Sequence, residues 1–168
     1  MKYVYNTPLD SFDVFVEIKD DLVQSIGFTQ KGSIEKEIQN DEVAALAFRW
    51  LDGYFHKRKV NELPPLNLNI LSSFQKKVFA LLKEVPFGTV VSYAEIKKQY
   101  ESHFLLKASN QGIGQALKRN PFPLLVPCHR VIKKNGELGG YAFGLNLKEK
   151  LLRFEGLKVD AKSNMVIK

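Results

Sequence analysis

From Ser92 the chain reads Ser92-Tyr-Ala-Glu-Ile-Lys-Lys-Gln-Tyr-Glu-Ser-His-Phe-Leu-Leu106. Ser92 with Glu95 three residues on is a capping box, so a helix starts here, with Ala94, Ile96 and Tyr100 on its apolar side. Glu101 to Leu106 interrupts the pattern. A second short helix follows, with Ile113, Ala116 and Leu117 inward and a basic end at Lys118-Arg119. Two short helices joined in this way predict a helix-turn-helix, although an ordinary helical hairpin fits the same pattern.

On either side of this pair the signals are simpler. Ser72 or Ser73 caps a preceding helix whose core face is Val78, Leu81, Leu82 and Val85, stopped by Pro86-Phe87-Gly88. Downstream, Leu124 to Ile132 is an apolar, strand-like run between Pro121, Pro123 and Asn135-Gly136. The last helix is read as Lys148 to Glu155, closed by Gly156. Toward the N-terminus, Phe12, Val14, Val16 and Ile18 alternate with Asp13 and Glu17, the period of a half-buried strand. Asp20-Asp21 makes a turn into a second strand, Leu22 to Phe28. Asn40-Asp41-Glu42 starts a helix carrying Val43, Leu46, Ala47, Trp50, Leu51 and Tyr54. Paired prolines within Lys57 to Asn67 mark a linker. The expectation is α+β: a sheet-plus-helix domain over 1–67, then a mainly helical domain over 68–168.

The 168 residues fit one domain or two small ones. Charge is divided unevenly: residues 1–70 carry net −3 and residues 71–168 net +10. The C-terminal part therefore suits a polyanion and the N-terminal part does not. No apolar run approaches the roughly 18 residues that span a bilayer. The N-terminal residues lack the apolar core of a signal peptide, so the expected location is the cytoplasm, with no membrane partner. One Cys excludes an intramolecular disulfide and a multi-Cys zinc cage, and His56, His103 and His129 are scattered. No metal or cofactor is expected.

Pro127-Cys128-His129-Arg130-Val131 holds that single thiol. A free thiol near pKa 8.5 is roughly 3% thiolate at neutral pH, and a base with positive neighbours raises the fraction. A small buried core cysteine is the plainer reading of the same residues. In a strand Cys128 and His129 would face opposite ways, so their cooperation requires a turn at Pro127 or a bridging water. Glu155 sits in the last turn of a helix, where the macrodipole disfavours an acid. Facing a cation or an imidazole offsets that cost and would fix a histidine tautomer, while a solvated glutamate is the plainer alternative.

Residues 73 to 156 resemble the catalytic domain of the O6-alkylguanine-DNA alkyltransferases. The resemblance rests on Ser73-Phe-Gln-x-x-Val78, Pro86-x-Gly-x-Val-x-Ser-Tyr93, Asn120-Pro121, Pro127-Cys-His-Arg-Val131, Gly139-x-Tyr141 and Leu151-Leu-x-x-Glu-Gly156. It implies irreversible, single-turnover transfer of an alkyl group from O6-alkylguanine in double-stranded DNA to Cys128, with O4-alkylthymine left open as a second substrate. His129 would be the base, acting through a water, and Glu155 would orient it. Asn120 would brace the turn before the active-site loop. Tyr93 would donate its hydroxyl to the guanine ring and crowd the adjacent phosphate.

Tyr141 and the backbone of Ala142 would line the base pocket, with Leu117 and Leu138 as its apolar wall. Ser92, Gln111, Gly112, Gly114, Gln115, Lys118, Arg130 and Val131 complete the DNA- or base-contacting set that the resemblance implies. Lys107 and Arg119 would hold phosphates. The protein would act as a monomer, binding the minor groove and flipping the damaged nucleotide, because a base inside a duplex cannot present its O6 group to a buried thiol. The pattern departs from the family at Gln111, where relatives carry an arginine, at Gln115, which replaces a small residue, and in extra residues within Glu101 to Leu106. Two other readings use the same residues: a damage-binding module that removes no alkyl group, and a Cys-His-Glu hydrolase. The hydrolase leaves the +10 half of the chain unexplained.

Overall fold

Two adjacent residues with positive φ, Asp20 (53°) and Asp21 (56°), turn the chain tightly between strands β2 (Phe12–Lys19) and β3 (Leu22–Gln30). Such a turn matches the twist of antiparallel strands. In this computed structural model, which describes residues 1–34, 38 and 40–167, β2 is the central strand of a three-stranded antiparallel sheet. Its other neighbour is β1 (Lys2–Tyr5), paired with Tyr5 opposite Val14. Phe12, Val14, Val16 and Ile18 are buried, as their alternation predicts. Helix α1 (Glu42–Phe55) is capped by Asp41, whose carboxylate accepts the Ala44 N–H at 2.9 Å. It lays Val43, Ala47, Leu51 and Tyr54 inward, and Tyr5 stacks on Phe55 at 5.9 Å. Leu46 and Trp50, expected on the same face, are only half-buried.

The chain divides into two compact units, Met1–Ile70 and Leu71–Lys168. The proline-containing stretch expected as a linker is not a free tether. Its end lies along β3, where Val23 N–H donates to Pro65 O (2.8 Å) and Asn67 N–H to Val23 O (2.9 Å).

In the second unit α2 (Ser73–Leu82), α3 (Tyr93–Phe104) and α4 (Asn110–Lys118) pack on one another. Ser72 and Ser92 each make a complete capping box, with Gln75 and Glu95. Glu101 to Phe104, expected to interrupt the pattern, instead continue α3 as its last turn; the helix ends at Leu105 in the left-handed region (φ 54°), and Ser109 caps α4, giving the helix-turn-helix. Helix α5 spans Leu145–Phe154, one turn earlier in its start than the sequence suggests. A two-residue parallel pairing joins β4 (Val91–Ser92) to β5 (Val131–Ile132), and β6 (Lys158–Asp160) with β7 (Met165–Ile167) forms a C-terminal hairpin. Among the described residues no helix is long and apolar enough to cross a membrane.

The run Leu124 to Ile132, expected to be strand-like, is a strand only at Val131–Ile132. Pro121, Pro123 and Pro127 have no N–H to give a ladder. The chain instead coils, with Leu124 at φ 72° and Cys128–Arg130 in a single 3-10 turn. Its apolar residues are buried because they fill the centre of the unit, not because they belong to a sheet.

Asp13 occupies an outlying buried position on β2. Its carboxylate accepts Thr7 N–H (3.0 Å), Gly32 N–H (2.9 Å), Asn6 Nδ2 (3.0 Å) and Lys31 Nζ (2.9 Å), and these bonds hold its pKa below the usual range despite burial. Asp13→Ala leaves those donors unsatisfied and should cost about 3 kcal/mol, read as a lower urea midpoint. A variant as stable as the parent refutes the role.

Candidate active site

The pairing of β4 with β5 sets Val91 beside Val131 and so brings the start of α3 next to the turn that carries Cys128. That turn resolves the facing problem seen in the sequence, because a 3-10 turn directs successive side chains about 120° apart rather than oppositely. Cys128 lines a cavity of about 690 Å³. His129 points away from it into the protein, fully buried.

His129 Nε2 meets Glu155 Oε2 in a short hydrogen bond. The other carboxylate oxygen accepts Arg130 Nε (2.7 Å) and Gly88 N–H (2.9 Å), and Arg130 also donates to Val85 O at 2.8 Å. Burial alone would raise the Glu155 pKa, but the hydrogen bond and charge of His129, then Arg130 and the Gly88 N–H, lower it to about 2. An ionised Glu155 requires the hydrogen on Nε2, which leaves Nδ1 as the basic nitrogen. Nδ1 is buried and has no hydrogen-bond partner among the described residues. Burial lowers the His129 pKa, so the ring is neutral and able to accept a proton. Gly88 is required here: its φ is 77°, and a Cβ would stand 3.0 Å from Glu155 O.

Cys128 has a raised pKa because it is buried, an effect opposed by the Asn120 side chain, the Lys148 charge and Tyr141. At neutral pH it is therefore a thiol that needs a base. Asn120 Nδ2 donates to Val126 O (3.0 Å) and its Oδ1 accepts Phe122 N–H (2.8 Å), so this side chain braces the coil leading to Cys128. The cavity's other walls are Tyr93 and Ala94 from α3, Asn110, Gln111, Gly114, Leu117 and Lys118 from α4, and the loop bearing Gly139, Gly140, Tyr141 and Ala142. Tyr93 Oη lies 3.5 Å from Gly140 O, and burial raises its pKa.

Not every residue expected at the site reaches it. The Arg130 guanidinium is turned inward to Glu155, and Val131 is wholly buried, so neither side chain faces the cavity. Leu138 packs with Leu152 and Val159 rather than forming a pocket wall. The Ser92 hydroxyl is committed to capping α3, Gly112 sits over Ser109 Oγ, and Gln115 is exposed on α4 outside the cavity.

Three lysines escaped sequence reasoning. Lys133 and Lys134 line the cavity together with Lys118. Lys148 is fully buried, and its Nζ donates to Val131 O (2.6 Å), Leu138 O (2.5 Å) and Gly140 O (3.2 Å). Burial lowers its pKa to about 8, against the opposing charge of Cys128. A signal for it existed: Lys148, Leu151, Leu152 and Glu155 stand at i, i+3, i+4 and i+7, so both charged residues lie on the buried stripe of α5. Among the described residues no group of three His, Cys, Asp or Glu side chains converges as a metal site.

A buried cysteine, a neutral histidine and an ionised carboxylate thus stand together beside a helix-turn-helix. Residues 73–157 match the model of the 6-O-methylguanine DNA methyltransferase DNA-binding domain. The methylated-DNA–protein-cysteine methyltransferase of Methanosarcina acetivorans is 42% identical over 122 residues, which is 71% of this chain and 73% of that protein. Among solved structures, Mycobacterium tuberculosis OGT in complex with DNA superposes with a TM-score of 0.71 at 25% identity, covering 92% of this chain and 91% of that one. An O6-methylguanine DNA methyltransferase from Methanococcus jannaschii gives 0.62 at 30% identity, covering 91% and 93%. The chain belongs to the O6-methylguanine DNA methyltransferase family.

Both buried partners make stability depend on pH in one direction. The fold keeps His129 neutral, so the unfolded chain takes up the extra proton as pH falls through 6.5. Glu155 stabilises fully above its ordinary 4.5, and that contribution is lost toward about 2. Urea unfolding of the second unit should show stability falling steadily on acidification. Glu155→Gln should lower stability at neutral pH by about 3 kcal/mol and flatten the acid limb. An unchanged acid limb contradicts the assignment.

Proposed function

We infer that the protein repairs DNA by moving an alkyl group from the O6 oxygen of guanine to Cys128. The observation that carries this is Cys128 lining a cavity walled by α4 of the helix-turn-helix, while the next residue of its turn, His129, is hydrogen-bonded to Glu155 behind it. The damaged nucleotide leaves the duplex and enters the cavity from the minor-groove side, because a stacked base cannot bring O6 to a buried sulfur. His129 Nδ1 takes the Cys128 proton through a water. The thiolate then attacks the alkyl carbon in line, the C–O bond breaks, and its electron pair stays on guanine O6. Guanine is a poor leaving group as an anion, so Tyr93 gives its hydroxyl proton to the ring as the charge develops. The thioether has no chemical route back, and each molecule acts once.

Lys118, Lys133 and Lys134 would meet the phosphates flanking the extruded nucleotide. In this arrangement the positive charge that Gln111 does not supply from α4 is available from the opposite rim. Gln111 would hydrogen-bond the base left unpaired. The reading requires one protein per lesion and no cofactor.

Incubation with a duplex holding one O6-methylguanine should add one methylene to the peptide containing Cys128, saturating at one per molecule and absent in Cys128→Ala. Retained preference for the lesion duplex without an adduct would favour the damage-binding module. The double variant Lys133→Ala/Lys134→Ala should reduce the slope of log affinity against log salt by about 2, with the transfer rate at saturating DNA unchanged. An unaltered slope removes these lysines from the interface.

A further inference from the structure

The loop from Lys133 to Gly144 supplies one wall of the cavity. A second hollow of about 430 Å³ adjoins the same loop, sharing Lys133, Gly139 and Gly140 with the cavity and bounded by Leu145, Ser163 and Asn164. Two sets of contacts hold the loop in place. Lys148 Nζ grips Leu138 O and Gly140 O from α5. The C-terminal hairpin grips it from the other direction: Leu138 N–H donates to Asn164 O at 2.9 Å, and Val166 N–H donates to Gly136 O at 2.8 Å. Glu137 and Met165 form an antiparallel bridge between these two bonds, so residues 136–138 act as a third strand on β7. The hairpin is itself anchored, because Val159 packs on Leu138 and Leu152 and Val159 O accepts Arg153 NH2 at 2.5 Å.

The consequence for the cavity passes through one residue. Gly139 follows Leu138 directly, and a Cβ there would come within 3.2 Å of the Tyr93 ring and hydroxyl. The loop therefore sits near van der Waals contact with the proton donor. A displacement of a few tenths of an ångström changes the slot in which the alkyl carbon must align. Displacement away from Tyr93 widens it.

We propose that the β6–β7 hairpin is a positioning element for the alkyl pocket: through Asn164 and Val166 it fixes the 136–141 loop against Tyr93 and so sets how far the pocket discriminates against bulky alkyl groups. This rests on the alkyl-transfer reading given above. Residues in a strand present N–H and C=O together to one edge, alternating along the chain. Val166 thus offers its N–H to Gly136 and not to β6, and Val166→Pro removes the loop bond while leaving the β6–β7 bonds in place. Val166→Ala keeps the N–H and serves as the conservative control.

Single-turnover rates at saturating DNA would be measured for O6-methylguanine and O6-benzylguanine duplexes. The expected result for Val166→Pro is a fall in the methyl rate of about tenfold, since small misplacements of reacting groups cost one to two orders of magnitude. The benzyl rate should fall less, duplex affinity should be unchanged, and Val166→Ala should behave as the parent. A chain ending at Ala161, which retains Val159, should show the same pattern if the proline variant does not fold. Amide exchange at Leu138 should accelerate in both. Equal methyl rates in the proline and alanine variants overturn the proposal. So does a parallel fall of both rates together with affinity, which is a plain loss of stability. Absence of transfer in the parent would instead refute the alkyl-transfer reading, and Leu138 exchange would then decide the loop bracing by itself.

Discussion

Glu155 is the point at which the second unit is tied together. Two segments distant in sequence end on its two oxygens, the turn at Gly88 and the Cys128–Arg130 turn, while its own backbone closes α5. A carboxylate buried among apolar residues is costly unless every lone pair is used and a cation stands by. Arg130 supplies that cation, and it has a second effect. Its positive charge opposes protonation of His129, so the imidazole can remain a base although it touches an anion. The Arg130 side chain, which the family resemblance led us to expect at the DNA, is turned inward to Glu155 and Val85 O, beside His129.

The chemistry then follows from an imbalance that burial creates. A thiol removed from water is harder to ionise, and the same removal makes the thiolate, once formed, unhindered by solvent. The structure answers with a neutral imidazole whose partner is already ionised, and with the Lys148 charge close enough to favour thiolate. Lys148 links this electrostatic role to geometry, since the carbonyls it holds belong to β5 and to the loop that closes the pocket.

Much of this was legible beforehand. Capping boxes at Ser72 and Ser92 and the alternation in β2 are local signals, and local physics decides them. Glu155 was flagged by its unfavourable place at a helix end, and the structure supplies the missing cation and imidazole. The run from Leu124 misled because hydrophobicity reports burial, whereas three prolines decide whether a buried segment can join a sheet. The pairing of β4 with β5 involves two residues on each side, too few for any periodicity. Lys148 shows a different limit: the spacing places it on the buried stripe, but only three converging carbonyls explain why a lysine is tolerated there. The C-terminal hairpin carried no motif, since its partners are backbone groups that any sequence possesses.

The lone cysteine, 4% exposed and with a raised pKa, has one more implication. Thiolates attack the peroxides and disulfides that can reach them, and this sulfur is for the most part neither charged nor accessible. A protein consumed by a single reaction has no turnover with which to make up for molecules lost to oxidation. The shielding that keeps Cys128 a thiol also preserves it, so that the pool of unspent molecules is reserved for the lesion.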